Sequence, residues 1–369
     1  MNDKVRIAKL TLDGYNNYGN VLQNYALQKV LESYANTVDT LWHGNDNFMP
    51  KTWGRWSWKE FIKYIIDYQR FRTKMKNGFF GYEMVRQAKI KAWADHYIHI
   101  RKDCVDLKNV NSQYDFFVVG SDQVWNPKAV GLREHFLSFA SYDKRIAYAA
   151  SIASPIIPKE QISFYKEGLE GMKWISMREQ EGADTIKKLI GREVPVLVDP
   201  TMLLEADEWS KVSRCPSWYH GRKYILTYFL GKKPQSTIQK ISQESGIPII
   251  NMLDEKIYEH YITGVDEFLW AIKHASLVYT DSFHGTVFSI LFKRPFVVCD
   301  RMGNNAENKM SSRIDTLLQY FGLENRRGTQ INGYQIENPF KIVYGDTETI
   351  FQRERFRADE YLRKALGLV

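Results

Sequence analysis

The sequence holds 369 residues, with 51 Lys and Arg against 43 Asp and Glu, for a net charge of +8. A chain of this length exceeds one ordinary core, so two domains are expected, and its apolar and charged fractions are those of a soluble globular protein. No apolar run reaches the ~18 residues of a membrane span, and Met1-Asn-Asp-Lys-Val-Arg-Ile7 lacks the apolar core of a signal peptide. Cys104, Cys215 and Cys299 are spaced for neither a disulfide framework nor a zinc site. A cytoplasmic protein without a bound metal or cofactor is therefore expected. The positive charge suits anionic ligands, nucleic acid or an anionic membrane surface without choosing among them.

Val5 to Leu12 reads as the first strand. It runs into a turn rich in Gly and Asn, Asp13 to Asn20, and then a helix from about Val21 to Tyr34 whose apolar face is Leu22, Tyr25, Ala26 and Val30. This is the layout of a phosphate- or sugar-binding βα turn without the GxGxxG pattern, and an ordinary βα loop is its plainer reading. Residues 51–102 interleave Trp53, Trp56, Trp58, Phe61, Tyr64 and Tyr68 with many Lys and Arg, which reads as helices inserted into the first domain. Such helices either rest peripherally on an anionic membrane or pack their aromatics on their own domain. Nucleic acid is disfavoured because no recognised motif accompanies the charge.

Phe116 to Val119 is continuously apolar, as a strand buried on both faces requires. It ends in Gly120-Ser121-Asp122-Gln123, where Asp122 and Gln123 are placed to bind hydroxyls and Trp125 to stack on a sugar or line a pocket. Strands follow at Arg145 to Ala149, at Trp174 to Met177 (delivering Arg178 and Glu179) and at Val194 to Val198 before Asp199-Pro200. After a polar stretch come strand 224–229, helix 235–245, strand 248–252 and helix 266–274. Then Leu277 to Thr280 reads as a strand, Asp281 to Gly285 as a tight turn, Thr286 to Phe292 as a helix and Phe296 to Cys299 as a strand. Helices near 314–321 and 347–366 end the pattern. Two successive sets of alternating strands and helices argue for two doubly wound, Rossmann-like α/β domains facing a cleft. The expected limits are 1–206, a linker at 207–222, 223–345, and a C-terminal helix at 346–369.

The polar residues at predicted strand ends form a coherent set: Asn17, Asn20, Asp122, Gln123 and Arg178 from the first half, and Asp281, Ser282, His284 and Arg313 from the second. One His and two Arg, with hydroxyls and carboxylates, suit a small doubly anionic substrate better than a metal. Arg offers a planar fork for carboxylate or phosphate, and His titrates near neutrality. His284 stands where a strand gives way to a helix opened by Gly285, and the free N–H groups there favour an anion. Asp281 is read as orienting the turn. Neither a GxSxG elbow nor a Walker A loop occurs.

At these residues the chain resembles the polysaccharide pyruvyl transferase family. The pieces that carry the resemblance are Asn17-Tyr-Gly-Asn20 with Leu22-Gln-Asn-Tyr-Ala-Leu27, Gly120-Ser-Asp-Gln-Val-Trp-Asn-Pro127, Ser176-Met-Arg-Glu179, Val198-Asp-Pro-Thr-Met-Leu-Leu204, Thr280-Asp-Ser-Phe-His-Gly-Thr-Val-Phe-Ser-Ile290 and Ser312-Arg-Ile314. They fall in order across nearly the whole chain. The resemblance implies a glycosyltransferase-B-like fold and transfer of pyruvate from phosphoenolpyruvate onto two hydroxyls of a sugar or lipid-linked oligosaccharide, in bacterial exopolysaccharide or capsule synthesis. It implies an acceptor side in the first domain, with Asn17, Asn20, Gln123 and Trp125, and a donor side in the second, with Ser282, Phe283, Gly285, Thr286 and Arg313. His284 is implied as the acid, Arg178 as the holder of the donor's anionic groups, and Asp122 as a contact or base for the acceptor hydroxyls. Many members carry Arg two places before the histidine, where this chain has Ser282, so a second cation is expected from Arg313 or Arg294. Two other readings stand beside this one. A nucleotide-sugar glycosyltransferase would need a carboxylate such as Glu255 or Asp266 for the ribose, and a non-catalytic scaffold at the membrane would be built on residues 51–102.

Overall fold

The computed structural model describes residues 5–12, 14–41, 79–102, 107–128, 133–153, 156–301, 311–328 and 338–368. The first half contributes β1 (Arg6–Leu10), α1 (Tyr18–Leu31), β2 (Thr37–Leu41), α2 (Phe79–Tyr97), β3 (Ile100–Arg101), β4 (Phe116–Gly120), β5 (Arg145–Ala150), α3 (Ile162–Glu170), β6 (Trp174–Met177) and α4 (Gln180–Ile190). Its strands are all parallel, in the order β3-β2-β1-β4-β5-β6. The second half follows with α5 (Ala206–Lys211), β7 (Ile225–Tyr228), α6 (Gln235–Ser245), β8 (Ile249–Asn251), α7 (Tyr258–Tyr261), α8 (Val265–His274), β9 (Leu277–Thr280), α9 (Phe283–Leu291), β10 (Phe296–Cys299), α10 (Ser311–Phe321), β11 (Arg327–Gly328) and α11 (Thr347–Ala365). Its sheet, also parallel, runs β11-β10-β9-β7-β8.

Helices cover both faces of each sheet, which is why β4 and β9 are buried almost residue by residue rather than in alternation. The protein is thus two doubly wound α/β units. In each sheet the strand order reverses once, between β1 and β4 and between β7 and β9. The crevice outside the carboxyl ends of such a pair is where open α/β sheets bind ligands.

The two units share a core. Tyr18 of α1 stacks on Phe268 of α8 at 4.6 Å and donates its hydroxyl to the Thr263 carbonyl at 2.6 Å. Leu22 and Tyr25 of α1 belong to the same apolar cluster as Val287 and Phe288 of α9. Helix α2 also touches both units: Lys89 pairs with Glu267 at 3.0 Å, Glu83 accepts the Tyr261 hydroxyl at 2.8 Å, and buried Trp93 packs edge-on against Tyr25 at 5.3 Å. Of the basic aromatic stretch at 51–102, residues 51–78 lie outside the described residues; in the rest Arg86, Ile90, Trp93, Ala94 and Ile98 are buried while the opposite face is exposed. Among the described residues no helix is long and apolar enough to cross a membrane.

The strand expected at Val194 to Val198 is a single bridge between Met177 and Val196. Pro195 has no N–H to extend the ladder, although its carbonyl accepts the Met177 amide at 2.9 Å.

Candidate active site

Both switch points open onto one charged cluster. On the side of the second unit, β9 ends at Thr280 and the chain turns straight into α9. The Asp281 carboxylate accepts the N–H groups of Leu230 and Gly231, each at 2.8 Å, tying the end of β9 to that of β7. Ser282 has extended backbone angles, and its hydroxyl accepts the Gly285 N–H at 3.2 Å, so it is the N-cap. The helix therefore opens three residues earlier than its apolar periodicity indicated, and His284 sits inside its first turn. Gly285 is required for a different reason than expected, since a Cβ there would lie 2.8 Å from Thr280 Oγ1.

This capping corrects one expectation. The amides of Gly285 and Thr286 both bond to Ser282, and the fully buried Thr286 hydroxyl donates to the Ser282 carbonyl at 3.0 Å. Neither residue offers a donor to a ligand. The amides without an intrahelical acceptor are those of Phe283 and His284.

From the first unit, Asp122 follows β4 with a left-handed φ of 58°. The turn is held because its carbonyl accepts the amides of Val124 at 2.9 Å and Ser151 at 3.0 Å. Arg178 follows β6 and spans two carboxylates, with NH1 to Asp199 Oδ2 at 2.7 Å and NH2 to Asp122 Oδ1 at 3.1 Å. Arg313, at the start of α10, approaches the same Asp122 oxygen at 3.5 Å. The Phe283 ring lies under both guanidiniums, 4.5 Å from Arg178 and 5.8 Å from Arg313. His284 Nε2 stands 3.6 Å from Asp199 Oδ2, outside hydrogen-bond reach. These five charged or titratable residues are only 1–6% exposed. Three of their nitrogens, Arg178 Nε, Arg313 Nε and His284 Nε2, are buried without a hydrogen-bond partner.

Burial alone would push the Asp122 carboxyl up, but Arg178, His284 and Arg313 more than offset it and hold the group below the usual carboxylate range. Asp199 behaves likewise, its burial outweighed by His284, Arg178 and the Thr201 amide. Asp122 is consequently a weak base, suited to accepting a hydrogen bond rather than a proton. For Glu179 burial prevails and the carboxyl is raised, although Oε1 accepts the Ile152 amide at 3.1 Å. Burial and the neighbouring Arg178 lower the Arg313 guanidinium to about 10.

The first turn of α1 faces His284. Asn17 caps that helix, its side chain accepting the Gly19 amide at 2.9 Å, so α1 begins at Tyr18 and Asn20 lies within it. Asn20 is buried there, and Gln123 is half-buried with its carbonyl oxygen accepting from Asn126 at 2.8 Å. Trp125 is corrected: it is 0% exposed, stacked on Phe136 at 5.3 Å, with its indole N–H donated to the His135 carbonyl at 3.1 Å. The left-handed Asp122 turns the chain back beneath the sheet edge, which puts Trp125 in the core. Arg294 lies at the far end of α9, beside a separate cavity of about 300 Å³ shared with Lys273, Lys293 and Arg355. The second cation near His284 is therefore Arg313. Sequence reasoning did not single out Ser121, Asp199 or Gly19. The available signal was the Asp-Pro step immediately after a strand-like run.

Fold and site together define a two-unit α/β protein whose buried ionic cluster draws a His and an Arg from one unit and an Arg and two Asp from the other. The chain belongs to the polysaccharide pyruvyl transferase family, whose model matches residues 17–302, from the cap of α1 to just beyond β10. No curated protein matches the sequence. Among solved structures it is similar to a UDP complex of MnaA from S. aureus (10% identity, TM-score 0.49, covering 100% of this chain and 98% of that one). It is similar also to a UDP-GlcNAc 2-epimerase from Neisseria meningitidis bound to UDP-GlcNAc (8% identity, TM-score 0.44, covering 98% and 100%). A third is MurG from Acinetobacter baumannii (11% identity, TM-score 0.42, covering 98% and 95%).

Proposed function

We propose that the protein transfers the pyruvyl carbons of phosphoenolpyruvate to two hydroxyls of a sugar acceptor, forming a cyclic ketal and releasing phosphate. The observation that carries the reading is the meeting of His284 with Arg178 and Arg313 in one buried cluster, each with an unbonded nitrogen. His284 protonates the methylene carbon, leaving cationic character at the carbon that bears the phosphate. A first hydroxyl attacks that carbon, and its proton replaces the one given up by the imidazole. Phosphate then departs with the bonding pair, a second hydroxyl attacks, and its proton leaves with the phosphate. Arg178 and Arg313 hold the donor's carboxylate and phosphate, with the Phe283 and His284 amides at the start of α9 as added donors. Asp122, held ionised, accepts hydrogen bonds from the acceptor hydroxyls, near Asn20 and Gln123.

The nucleotide-sugar reading finds less support. Asp266 is engaged by Arg214 at 2.7 Å, and Glu255 is exposed away from the cluster. The test is phosphate release from phosphoenolpyruvate with a panel of glycans, read alongside the mass gain of a pyruvate ketal. His284→Ala is expected to cut turnover by roughly 10²–10⁴, as loss of a positioned acid does. Near-normal phosphate release by that variant would overturn the assignment.

A further inference from the structure

The reaction asks an imidazole carried by α9 to act beside a guanidinium carried by β6, on the opposite unit. One carboxylate joins them. Asp199 Oδ2 accepts from Arg178 NH1 at 2.7 Å and from the Ser121 hydroxyl at 2.9 Å, and it lies 3.6 Å from His284 Nε2. The other oxygen, Oδ1, accepts the Thr201 amide at 3.0 Å and the Thr201 hydroxyl at 2.8 Å. Four donors, all from the first unit, therefore fix the carboxylate and prevent it from rotating. On its other edge the imidazole rests on α1: a Cβ built on Gly19 would fall 2.1 Å from His284 Nδ1. The ring stands in a slot whose walls, Asp199 and the Gly19 backbone, both belong to the unit that does not carry it.

We infer, resting on the function proposed above, that Asp199 is a positioning residue for His284, one fixed wall of the slot that orients the imidazole. Through the same oxygen it sets Arg178 in register with the acid. The acid is thus assembled only when the two units are packed together, and Gly19 keeps room for it. Asp199 reaches the donor through His284 and Arg178 and touches no reacting atom itself.

The test is Asp199→Asn, which keeps the acceptor for Thr201 and removes the charge. With phosphoenolpyruvate and an accepted glycan, kcat is expected to fall roughly 10²-fold with little change in KM for the donor, as misplacement of a general acid dictates. The NMR resonances of the His284 ring, assigned by their loss in His284→Gln, are expected to shift or broaden at fixed pH without any substrate. Unmoved His284 ring resonances and an unmoved kcat in a folded Asp199→Asn protein overturn the inference, leaving Asp199 as a brace for Arg178 alone. If the wild type releases no phosphate from phosphoenolpyruvate, the function proposed above fails while the ring resonances still judge Asp199. Should Asp199→Asn not fold, Gly19→Ala leaves every Asp199 hydrogen bond in place and pushes on the ring. It is expected to lower kcat at least tenfold with little change in donor affinity, and unchanged kcat overturns the slot.

Discussion

Arg178 is buried between two carboxylates, so its contribution to stability is mostly the cost of taking it away. Arg178→Met takes from Asp122 and Asp199 the cation they share, and a loss of about 3–5 kcal/mol is expected in urea unfolding. Arg178→Lys is expected to rescue little, because one ammonium cannot span both carboxylates as the planar fork does. The carboxyls of the cluster respond to pH in opposite senses. Asp122 and Asp199, held low in the fold, contribute stability that is present above the unfolded value of about 3.9 and is lost as pH falls through their folded values. Glu179, held high by burial, carries a penalty above its folded value that disappears in acid. Glu179→Gln, which preserves the acceptor for Ile152, is therefore expected to equal or exceed the wild type in stability at pH 7–8. That advantage should vanish near pH 4, and a series of urea titrations across that range checks both signs.

Among the elements, the start of α9 decides the most. Ser282→Ala removes the cap and is expected to cost about 1 kcal/mol. It should also free the Gly285 amide and loosen His284, which faster hydrogen exchange across residues 283–286 would report. This helix also measures what was legible beforehand. The ends of β4, β6 and β9 were readable because each apolar run stops abruptly at polar residues, and that placed Asp122, Arg178 and His284 on one side of their sheets. The helix start was misplaced by three residues because a serine cap leaves no mark on apolar periodicity, and Gly285 looked like an opener when its role is close packing on Thr280. Trp125 was misread for a related reason: the positive φ at Asp122 is invisible in a Gly-Ser-Asp-Gln run, and so is the stacking on Phe136 that buries the indole. Asp199 escaped notice because its partners come from β4, β6 and α9, a proximity made by tertiary packing alone.

For the molecule as a whole, the join between the two units sets an apolar core beside the buried ionic cluster. Tyr18 is the anchor, and Tyr18→Ala is expected to cost about 3–5 kcal/mol, as loss of a large buried aromatic does. Because α1 also carries Gly19, the same variant should, under the function proposed above, lower kcat more than it raises KM for the proposed donor, a split that steady-state kinetics resolves. The last helix closes the structure in the other direction. Phe351 of α11 packs on Phe321 at 4.9 Å, while Tyr361 reaches back to donate its hydroxyl to the Ala147 carbonyl of β5 at 2.8 Å. Ala358, Leu362 and Ala365 lie in one cluster with Ile7, Leu31 and Tyr148. Loss of α11 would therefore uncover part of one greasy flank of the first sheet, the part that Leu27 and Leu31 of α1 do not reach. A chain cut just before Thr347 is expected to be degraded faster in limited proteolysis than the intact one, although it keeps every residue of the proposed reaction centre.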